Sequence, residues 1–289
     1  MAINFRSNTI IRNLSIGPLS GGGEGGGGGF PIESSGLQLF LDAANSTSYS
    51  GTGNTWIDLS GNGNDFTAYT SAGLYMPTYV NAGDASYFDF DDSTGTAMIA
   101  SNLSLSDYGF GNANDSYTVN FWAKGATPAG SSWNDNQIWF NFEFPYSYTD
   151  DNGNLQTSGG GTQLNQLSGA SGFPQNHANI SGPNVNTPGR TDLSSFLGSW
   201  HNYSFVFESG LANGGLTITL YIDGTQNNFG STTGVNNITF TGTFNSFTLS
   251  YGTANSYGWN GDLANFALYN RALSASEVLA NYNALSSRF

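Results

Sequence analysis

The sequence lacks cysteine, is poor in charged residues and contains no long apolar run. Without cysteine it has no disulfide bridge and no thiolate zinc site, and the redox compartment is left open. Six lysines and arginines stand against twenty acidic residues, and this net charge of −14 argues against a nucleic-acid-binding protein. Because no stretch of about 18 apolar residues is present, the sequence predicts no membrane-spanning helix.

The residues that are abundant predict an all-β protein. The chain has 21 Phe, 15 Tyr and 6 Trp, which favour strands, and 40 Gly, which favour turns. Its 289 residues suffice for one domain with a sizeable core. Charged residues make up only 9% of the chain, against roughly 25% in an average soluble protein. The surface must therefore consist mainly of uncharged hydrogen-bonding side chains, a composition that suits sugar recognition and also virion or extracellular exteriors.

Three segments carry local signatures. Near the C-terminus, alternating apolar residues in 263–268 lead to Ser274, which is placed to cap a helix with Glu277 in a capping box. The second segment runs from Trp200 to Gly224 and reads as two strands that end in Tyr-Ile-Asp-Gly. The third comprises a strand at 36–43 and a turn, Trp-Ile-Asp-Leu-Ser-Gly-Asn-Gly-Asn, at 56–64.

Together these segments resemble the concanavalin-A-like, laminin-G-like domains, of the kind found in phage structural proteins. The resemblance implies an antiparallel β-sandwich of jelly-roll type with a short C-terminal helix, extending over residues 36–289. Members of this family bind glycans, proteins or calcium, or only assemble, so the resemblance specifies a fold more sharply than a function.

Residues 1–20 differ from the rest of the chain because they contain two arginines and no acidic residue. Their apolar residues alternate with polar ones, as in an extended strand with one apolar face. Residues 21–35 are glycine-rich and read as a flexible linker. We expect an N-terminal anchoring arm that adds a strand to a partner or to another copy of the chain. The arm residues are Ile3, Phe5, Arg6, Ile10, Arg12, Leu14 and Ile16.

Catalysis is not predicted. A glycosidase of this sandwich class needs paired carboxylates about 5–5.5 Å apart. The chain has only five glutamates, and Glu143 has no acidic residue two or four positions away. A nucleophilic triad would have to use His177 or His201, and neither lies in a triad-like context.

A calcium site is a weaker expectation. Asp58, Asn62, Asn64 and Asp65 lie in one glycine-rich turn, and such oxygen ligands suit calcium. Residues 89–92 offer further carboxylates. The alternative is a network of Asx turns that satisfies the loop backbone without metal.

Exposed aromatic rings near loop amides would suit glycan binding, because ring faces stack on sugar C–H groups. The candidates are Trp133, Tyr146, Tyr148 and Trp259. The alternative is that aromatic residues at strand spacing fill the core, and we expect this for Trp139.

The sequence favours a non-enzymatic virion structural protein, a bacteriophage capsid decoration or fibre component on the outer surface of the particle. The first nine residues lack the apolar core of a signal peptide, and release by lysis as part of a virion is the simplest route out of the cell. The expected partners are other virion proteins, further copies of the chain through the arm, and host glycans, with no membrane insertion. The alternative is an exported bacterial carbohydrate-binding, lectin-like module.

Overall fold

The structure is a computed structural model of the 289-residue chain. It describes residues 30–70, 73–91, 93–101, 105–108, 115–126, 137–149, 155–168, 174–180, 190–193, 195–209, 216–227, 239–240, 246–250 and 258–289. Residues 31–289 form one unit. All seven residues of the predicted anchoring arm lie outside the described residues, so the boundaries 1–20 and 21–35 stay predictions.

The described chain is mostly β-strand, with one α-helix near its end. The strands are β1 (Leu37–Asp42), β2 (Thr55–Trp56), β3 (Phe66–Ala68), β4 (Thr78–Val80), β5 (Tyr87–Phe90), β6 (Met98–Ser101), β7 (Tyr117–Gly125), β8 (Gln137–Thr149), β9 (Leu155–Ser168), β10 (Pro174–Ile180), β11 (Arg190–Asp192), β12 (His201–Ser209), β13 (Leu216–Ile222), β14 (Thr225–Asn227), β15 (Thr239–Phe240), β16 (Ser246–Leu249) and β17 (Gly261–Tyr269). The helix α1 spans Ala275–Leu285. Short 3₁₀ helices span Gly83–Ala85, Leu105–Tyr108 and Ser286–Arg288. No helix in the described part of the chain is long and apolar enough to cross a membrane.

The strands form two antiparallel sheets. The first sheet has the order β14-β13-β12-β7-β17-β5-β4, and β1 pairs with the second half of β17. The second sheet has the order β11-β10-β9-β8-β16-β6-β3-β2, and β15 pairs with β8. Neighbours in each sheet are often far apart in sequence, as β17 beside β5 and β7 shows. This is the predicted antiparallel sandwich.

Aromatic side chains fill the space between the sheets. Phe121 of the first sheet meets Phe140 of the second with ring centroids 6.1 Å apart. Phe266 of the first sheet meets Phe247 of the second at 5.4 Å. All four rings are at most 1% exposed, so their burial supplies a large apolar contribution to stability.

Helix α1 begins with the predicted capping box. The Ser274 hydroxyl accepts a hydrogen bond from the Glu277 amide, and the Ser274 amide donates to the Glu277 carboxylate at 2.7 Å. Arg271 adds a pair of hydrogen bonds to the same carboxylate, at 2.8 and 3.0 Å. The Arg271 guanidinium lowers the pKa of Glu277 to about 2. The start of the helix is therefore fixed by short-range contacts that the sequence specifies.

Helix α1 covers the outer face of the first sheet, the face turned away from the core. Trp122 of β7 stacks on Tyr282 of the helix, with ring centroids 5.6 Å apart. Beneath this cover the sheet carries polar residues that are nevertheless at most 1% exposed. The Asn120 amide donates to both Asn202 and Ser204, at 3.1 and 2.5 Å. We call Thr118, Asn120, Asn202 and Ser204 the polar layer.

The turn between β13 and β14 packs against the same helix. Asp223 and Gly224 both have positive φ, at 52° and 72°, as a two-residue hairpin turn requires. The Asp223 carboxylate holds His201 at 2.6 Å and the Asn202 amide at 2.9 Å. A Cβ on Gly224 would lie 2.8 Å from a methyl carbon of Leu279, so glycine is needed for both the turn and the helix contact.

Candidate functional site

Three charged side chains stand side by side across the first sheet. Strand pairing aligns Asp89 of β5 with Asp262 of β17, and Asp262 with Lys124 of β7. Lys124 and Asp262 form an ion pair with Nζ and Oδ2 2.7 Å apart. The Asp262 side chain is only 10% exposed, whereas that of Lys124 is 37% exposed. The antiparallel register thus creates a charged row from residues that are distant in sequence.

This row opens into a pocket of about 450 Å³ at one end of the sheet. The pocket is lined by carboxylates, an amide, one ammonium group and several glycines, which place no side chain in the cavity. Its lining residues are Asp89, Phe90, Asp91, Lys124, Gly125, Ala126, Gly198, Asn260, Gly261 and Asp262. A volume of this size suits a small ligand such as one or two sugar rings.

Two aromatic rings flank the Lys124 ammonium group. The rings of Tyr87 and Trp200 each lie with their centroid 5.8 Å from Nζ, within the range of a cation–π contact. The two rings also meet each other at 5.4 Å. Lys124 is therefore held by one carboxylate and two rings, which keeps its charge in place at the pocket wall.

The carboxylates of the pocket differ in their electrostatic surroundings. Partial burial raises the pKa of Asp89, and the neighbouring charges of Asp262 and Asp91 raise it further. Burial also raises the pKa of Asp262, although the hydrogen bond from Lys124 opposes this. Asp91 has a lowered pKa, chiefly because the hydroxyl of Ser93 donates to it. No described residue donates a hydrogen bond to Asp89, which leaves its carboxylate for a ligand.

An exposed tyrosine lies on a neighbouring loop. Tyr75 is 66% exposed, and its backbone pairs with that of Thr96. The Thr96 hydroxyl in turn accepts a hydrogen bond of 2.7 Å from the Asp91 amide. Tyr75 is thus tied through Thr96 to the pocket residue Asp91, and its ring is open to solvent for stacking.

The turn predicted as a weak calcium site is closed by hydrogen bonds. Oδ1 of Asp58 accepts from the amides of Phe40 and Ser60, at 2.9 and 2.8 Å. Oδ2 accepts from the Ser60 hydroxyl and the Asn64 amide, at 2.7 and 3.1 Å. These four donors occupy the carboxylate that a cation would need, so the geometry matches the Asx-turn alternative.

The other proposed ligands of that turn are engaged in the same way. Asp65 accepts a hydrogen bond from the Asp58 amide, and the side-chain amides of Asn62 and Asn64 donate to the Gln38 carbonyl. Across the described ranges, no group of three or more histidine or acidic side chains lies close enough together to hold a metal ion.

The structure corrects one of the predicted glycan-binding residues. Trp259 is 1% exposed and packs on Trp139 at 5.0 Å and on Phe90 at 5.3 Å, so its ring face is not open to a sugar. Trp139 is 2% exposed and fills the core, as predicted. The prediction for Trp259 was wrong because the chain before β17 returns this residue to the interior, which the local sequence does not reveal.

The remaining candidates are not brought to the pocket by any described contact. Tyr146 and Tyr148 lie on β8 in the second sheet, and only their backbone is described. Trp133 lies outside the described residues. These three stay predictions.

Most of the pocket was not predicted from the sequence. The sequence indicates carboxylates at 89–92, but it points to no site role for Lys124, Trp200 or Asp262. Their signal was present, because each sits at a polar or amphipathic position within or beside an alternating strand. Only the register of β5, β17 and β7 brings them together.

Comparisons with known proteins agree with the architecture. The laminin-G-type family model described as "Concanavalin A-like lectin/glucanases superfamily" matches residues 95–279. A search of curated proteins finds no match.

Among solved structures, a Trypanosoma rangeli sialidase mutant with trans-sialidase activity is similar at 14% identity and a TM-score of 0.51, covering 88% of this chain and 34% of that one. The T. rangeli sialidase in complex with sialic acid is similar at 14% identity and a TM-score of 0.50, with coverages of 87% and 33%. The chain therefore spans about a third of the length of these sialidases, and at this identity the likeness concerns the fold alone.

Proposed function

Because the chain belongs to the concanavalin A-like lectin/glucanase superfamily, we propose that it is a non-catalytic carbohydrate-binding protein whose sugar site is the pocket beside Lys124 and Asp262. The observation that carries this proposal is a cavity of about 450 Å³ whose lining includes both carboxylates and an ammonium group. Asp89, whose carboxylate accepts no hydrogen bond from a described residue, offers an acceptor for sugar hydroxyl groups. Tyr75, whose backbone pairs with Thr96 on a neighbouring loop, is 66% exposed and offers a ring surface.

A binding measurement with paired variants tests the site. Isothermal titration follows a glycan-array screen of the full chain, using the best glycan found. Asp89→Asn removes the carboxylate that no described residue satisfies, and Tyr75→Ala removes an exposed ring. We expect Asp89→Asn to weaken binding about tenfold or more, as for one lost hydrogen bond to a charged group. We expect Tyr75→Ala to weaken it about three- to tenfold, as for one lost stacking contact.

The matched control is Glu208→Gln. Glu208 is exposed on β12 of the same sheet, and Glu208→Gln removes one negative charge, as Asp89→Asn does. Glu208 lies seven residues along β12 from His201, and His201 pairs with Ala123, the neighbour of Lys124. At about 3.3 Å per strand residue, Glu208 is therefore roughly 23 Å from the pocket. Equal affinities for the wild type and all three variants would place the sugar elsewhere, and an empty glycan array would refute carbohydrate binding.

The absence of catalysis is part of the proposal. Its support is the scarcity of glutamate and the engagement of His201 by Asp223 at 2.6 Å, which ties that imidazole to a turn of the fold. Incubation with chromogenic glycosides, including a sialoside, checks this. We expect no release of the chromophore above background, and turnover that Asp89→Asn abolishes would show an enzyme instead.

We further propose that residues 1–20 attach the domain to a larger assembly, and that this assembly is the outer surface of a bacteriophage particle. The support lies in the sequence: an arm with alternating apolar residues and two arginines precedes a glycine-rich linker and an acidic domain. Opposite charge favours docking of such an arm on another copy or on an acidic neighbour. Export as an extracellular module is the alternative setting.

Light scattering of the full chain and of residues 30–289 tests the arm. We expect the full chain to self-associate and the shortened chain to be monomeric. Two monomers would refute arm-mediated association of copies. Incorporation of both forms into particles at equal occupancy would refute anchoring altogether.

A further inference from the structure

The described lining of the pocket has an excess of negative charge. Asp89, Asp91 and Asp262 contribute three carboxylates, and Lys124 contributes the one ammonium group. Asp262 is already paired with Lys124 at 2.7 Å, so that pair is close to neutral. Neither of the remaining two carboxylates forms an ion pair with a described residue, although the charge of Lys124 acts on Asp89 at longer range and opposes the rise in its pKa.

Asp89 is the carboxylate that this arrangement leaves for a ligand. Asp91 accepts hydrogen bonds from the Ser93 amide and hydroxyl, at 2.8 and 2.7 Å, and from the Thr94 hydroxyl at 3.2 Å. Asp89 receives no such bond from a described residue and stands beside Asp262 in the strand register. A positive group placed at Asp89 would relieve the repulsion between neighbouring carboxylates.

We propose that the pocket prefers a sugar that carries a free ammonium group, an amino sugar, over neutral and acidic sugars. This inference rests on the proposed function. The ammonium group lies against Asp89, where it pairs with a carboxylate that has no contact ion pair among the described residues, and hydroxyl groups occupy the rest of the cavity. An acidic sugar brings a carboxylate towards Asp89 and Asp91, and like charges repel at this range.

The same net charge separates this pocket from sites for anionic ligands. Lys124 is the one cation among the described lining residues, and its charge is directed at Asp262 and at the faces of two rings. A ligand carboxylate would have to break that ion pair to gain a new one. A ligand ammonium group needs no such exchange.

The test compares three oligosaccharide probes of similar length by isothermal titration with the full chain. They are a glucosamine oligomer, its N-acetylated counterpart and a sialylated oligosaccharide. At about pH 6, amines of the α-amino type are protonated and carboxyls are mostly ionised. We expect the glucosamine oligomer to bind about three- to tenfold more tightly than the acetylated one, the range of a partly exposed ion pair.

Two further measurements identify the source of the preference. We expect Asp89→Asn to remove the preference, so that both oligomers bind this variant with equal affinity, and we expect Glu208→Gln to preserve it. We also expect the preference to shrink as salt rises to about 1 M, because exposed charge pairs are screened.

Each outcome decides between the two proposals. Equal binding of both oligomers, or tighter binding of the sialylated probe, overturns the amino-sugar inference and leaves carbohydrate binding intact. A preference that survives Asp89→Asn overturns it as well, since attraction to the acidic chain as a whole would then be the cause. If these probes fail and other glycans bind, the inference again falls alone. Only a protein that binds no glycan refutes the proposed function itself.

Discussion

Replacing Gly261 by alanine should destabilise the protein through one specific clash. The three atoms nearest to a Cβ at this position all belong to the Trp259 indole, at 2.6, 2.7 and 2.8 Å. The ring cannot retreat easily, because it is 1% exposed and packs on Trp139 at 5.0 Å and Phe90 at 5.3 Å. Gly261 lies in an extended strand outside the left-handed region, so backbone strain is not the cause.

The size of the effect follows from two opposing terms. Forcing an extra methyl group into a packed core costs about 1–3 kcal/mol, and three contacts with one ring place Gly261→Ala at the upper end. Alanine recovers about 0.5–1 kcal/mol because it restricts the unfolded chain more than glycine does. The free energy of unfolding should therefore fall by about 2 kcal/mol.

Urea denaturation of the full chain measures this loss, and a double-mutant cycle isolates its cause. Trp259→Phe shortens the ring at the crowded position, and in that background Gly261→Ala should cost at most about 0.5 kcal/mol. Gly198→Ala is the matched control in the same pocket wall. Its φ is +79° and no atom lies within 4 Å of the new Cβ, so it reports only left-handed strain, about 1–2 kcal/mol.

Equal losses in the two backgrounds would refute the proposed clash. If Gly261→Ala lowered the free energy of unfolding by the same amount with the native indole and in the Trp259→Phe variant, contact with the indole would not be the cause. The space beside Gly261 would then be larger than the 2.6–2.8 Å separations between its Cβ position and the Trp259 ring allow.

Three further predictions concern charge. Arg288→Met should lower the free energy of unfolding by about 2–4 kcal/mol, because the Asp42 side chain, which is only 9% exposed, loses its bidentate partner at 2.7 and 3.0 Å. Chemical denaturation measures this loss. Adding Asp42→Asn to the Arg288→Met variant should restore part of it, because the buried charge is then removed as well. Arg271 is the chief cause that lowers the pKa of Glu277 from 4.5 to about 2 in the folded protein. The stabilisation from Glu277 is therefore fully present above about pH 4.5 and is lost as the pH falls towards 2. After allowing for solvent screening it is about 1 kcal/mol, and in Glu277→Gln the free energy of unfolding should fall by about that much less over this pH range. Asp89→Asn should stabilise the fold slightly, by a few tenths of a kcal/mol, because it removes repulsion among carboxylates; a thermal melt in which this variant is clearly less stable would contradict the charge assignment.

The parts of the fold that the sequence predicts well are those with short-range causes. The capping box needs only Ser274 and Glu277, three residues apart, and the structure contains both of its hydrogen bonds. The strand expected at 36–43 is β1, Leu37–Asp42, and the hairpin expected between Trp200 and Gly224 is β12 and β13. Alternation and turn residues encode such elements locally.

The pocket was beyond the same reasoning because its causes are long-range. Asp89, Lys124 and Asp262 stand together through the order of β5, β17 and β7, and no local pattern specifies which strands become neighbours. The burial of Trp259 has the same origin, since a turn residue is exposed or buried according to the sheet that it faces. Composition predicts a polar, weakly charged surface, but it does not indicate where the few charged residues lie together.

The polar layer under α1 has a consequence for how the molecule tolerates opening. Most helices that cover a sheet bury apolar side chains, and when such a helix detaches it exposes an aggregation-prone surface. Here the uncovered face presents the hydroxyls and amides of Thr118, Asn120, Asn202 and Ser204, which water can solvate, together with the rings of Trp122 and Tyr269. Polar groups therefore separate the aromatic surface that departure of the helix would expose, which lowers the tendency of the opened molecule to aggregate.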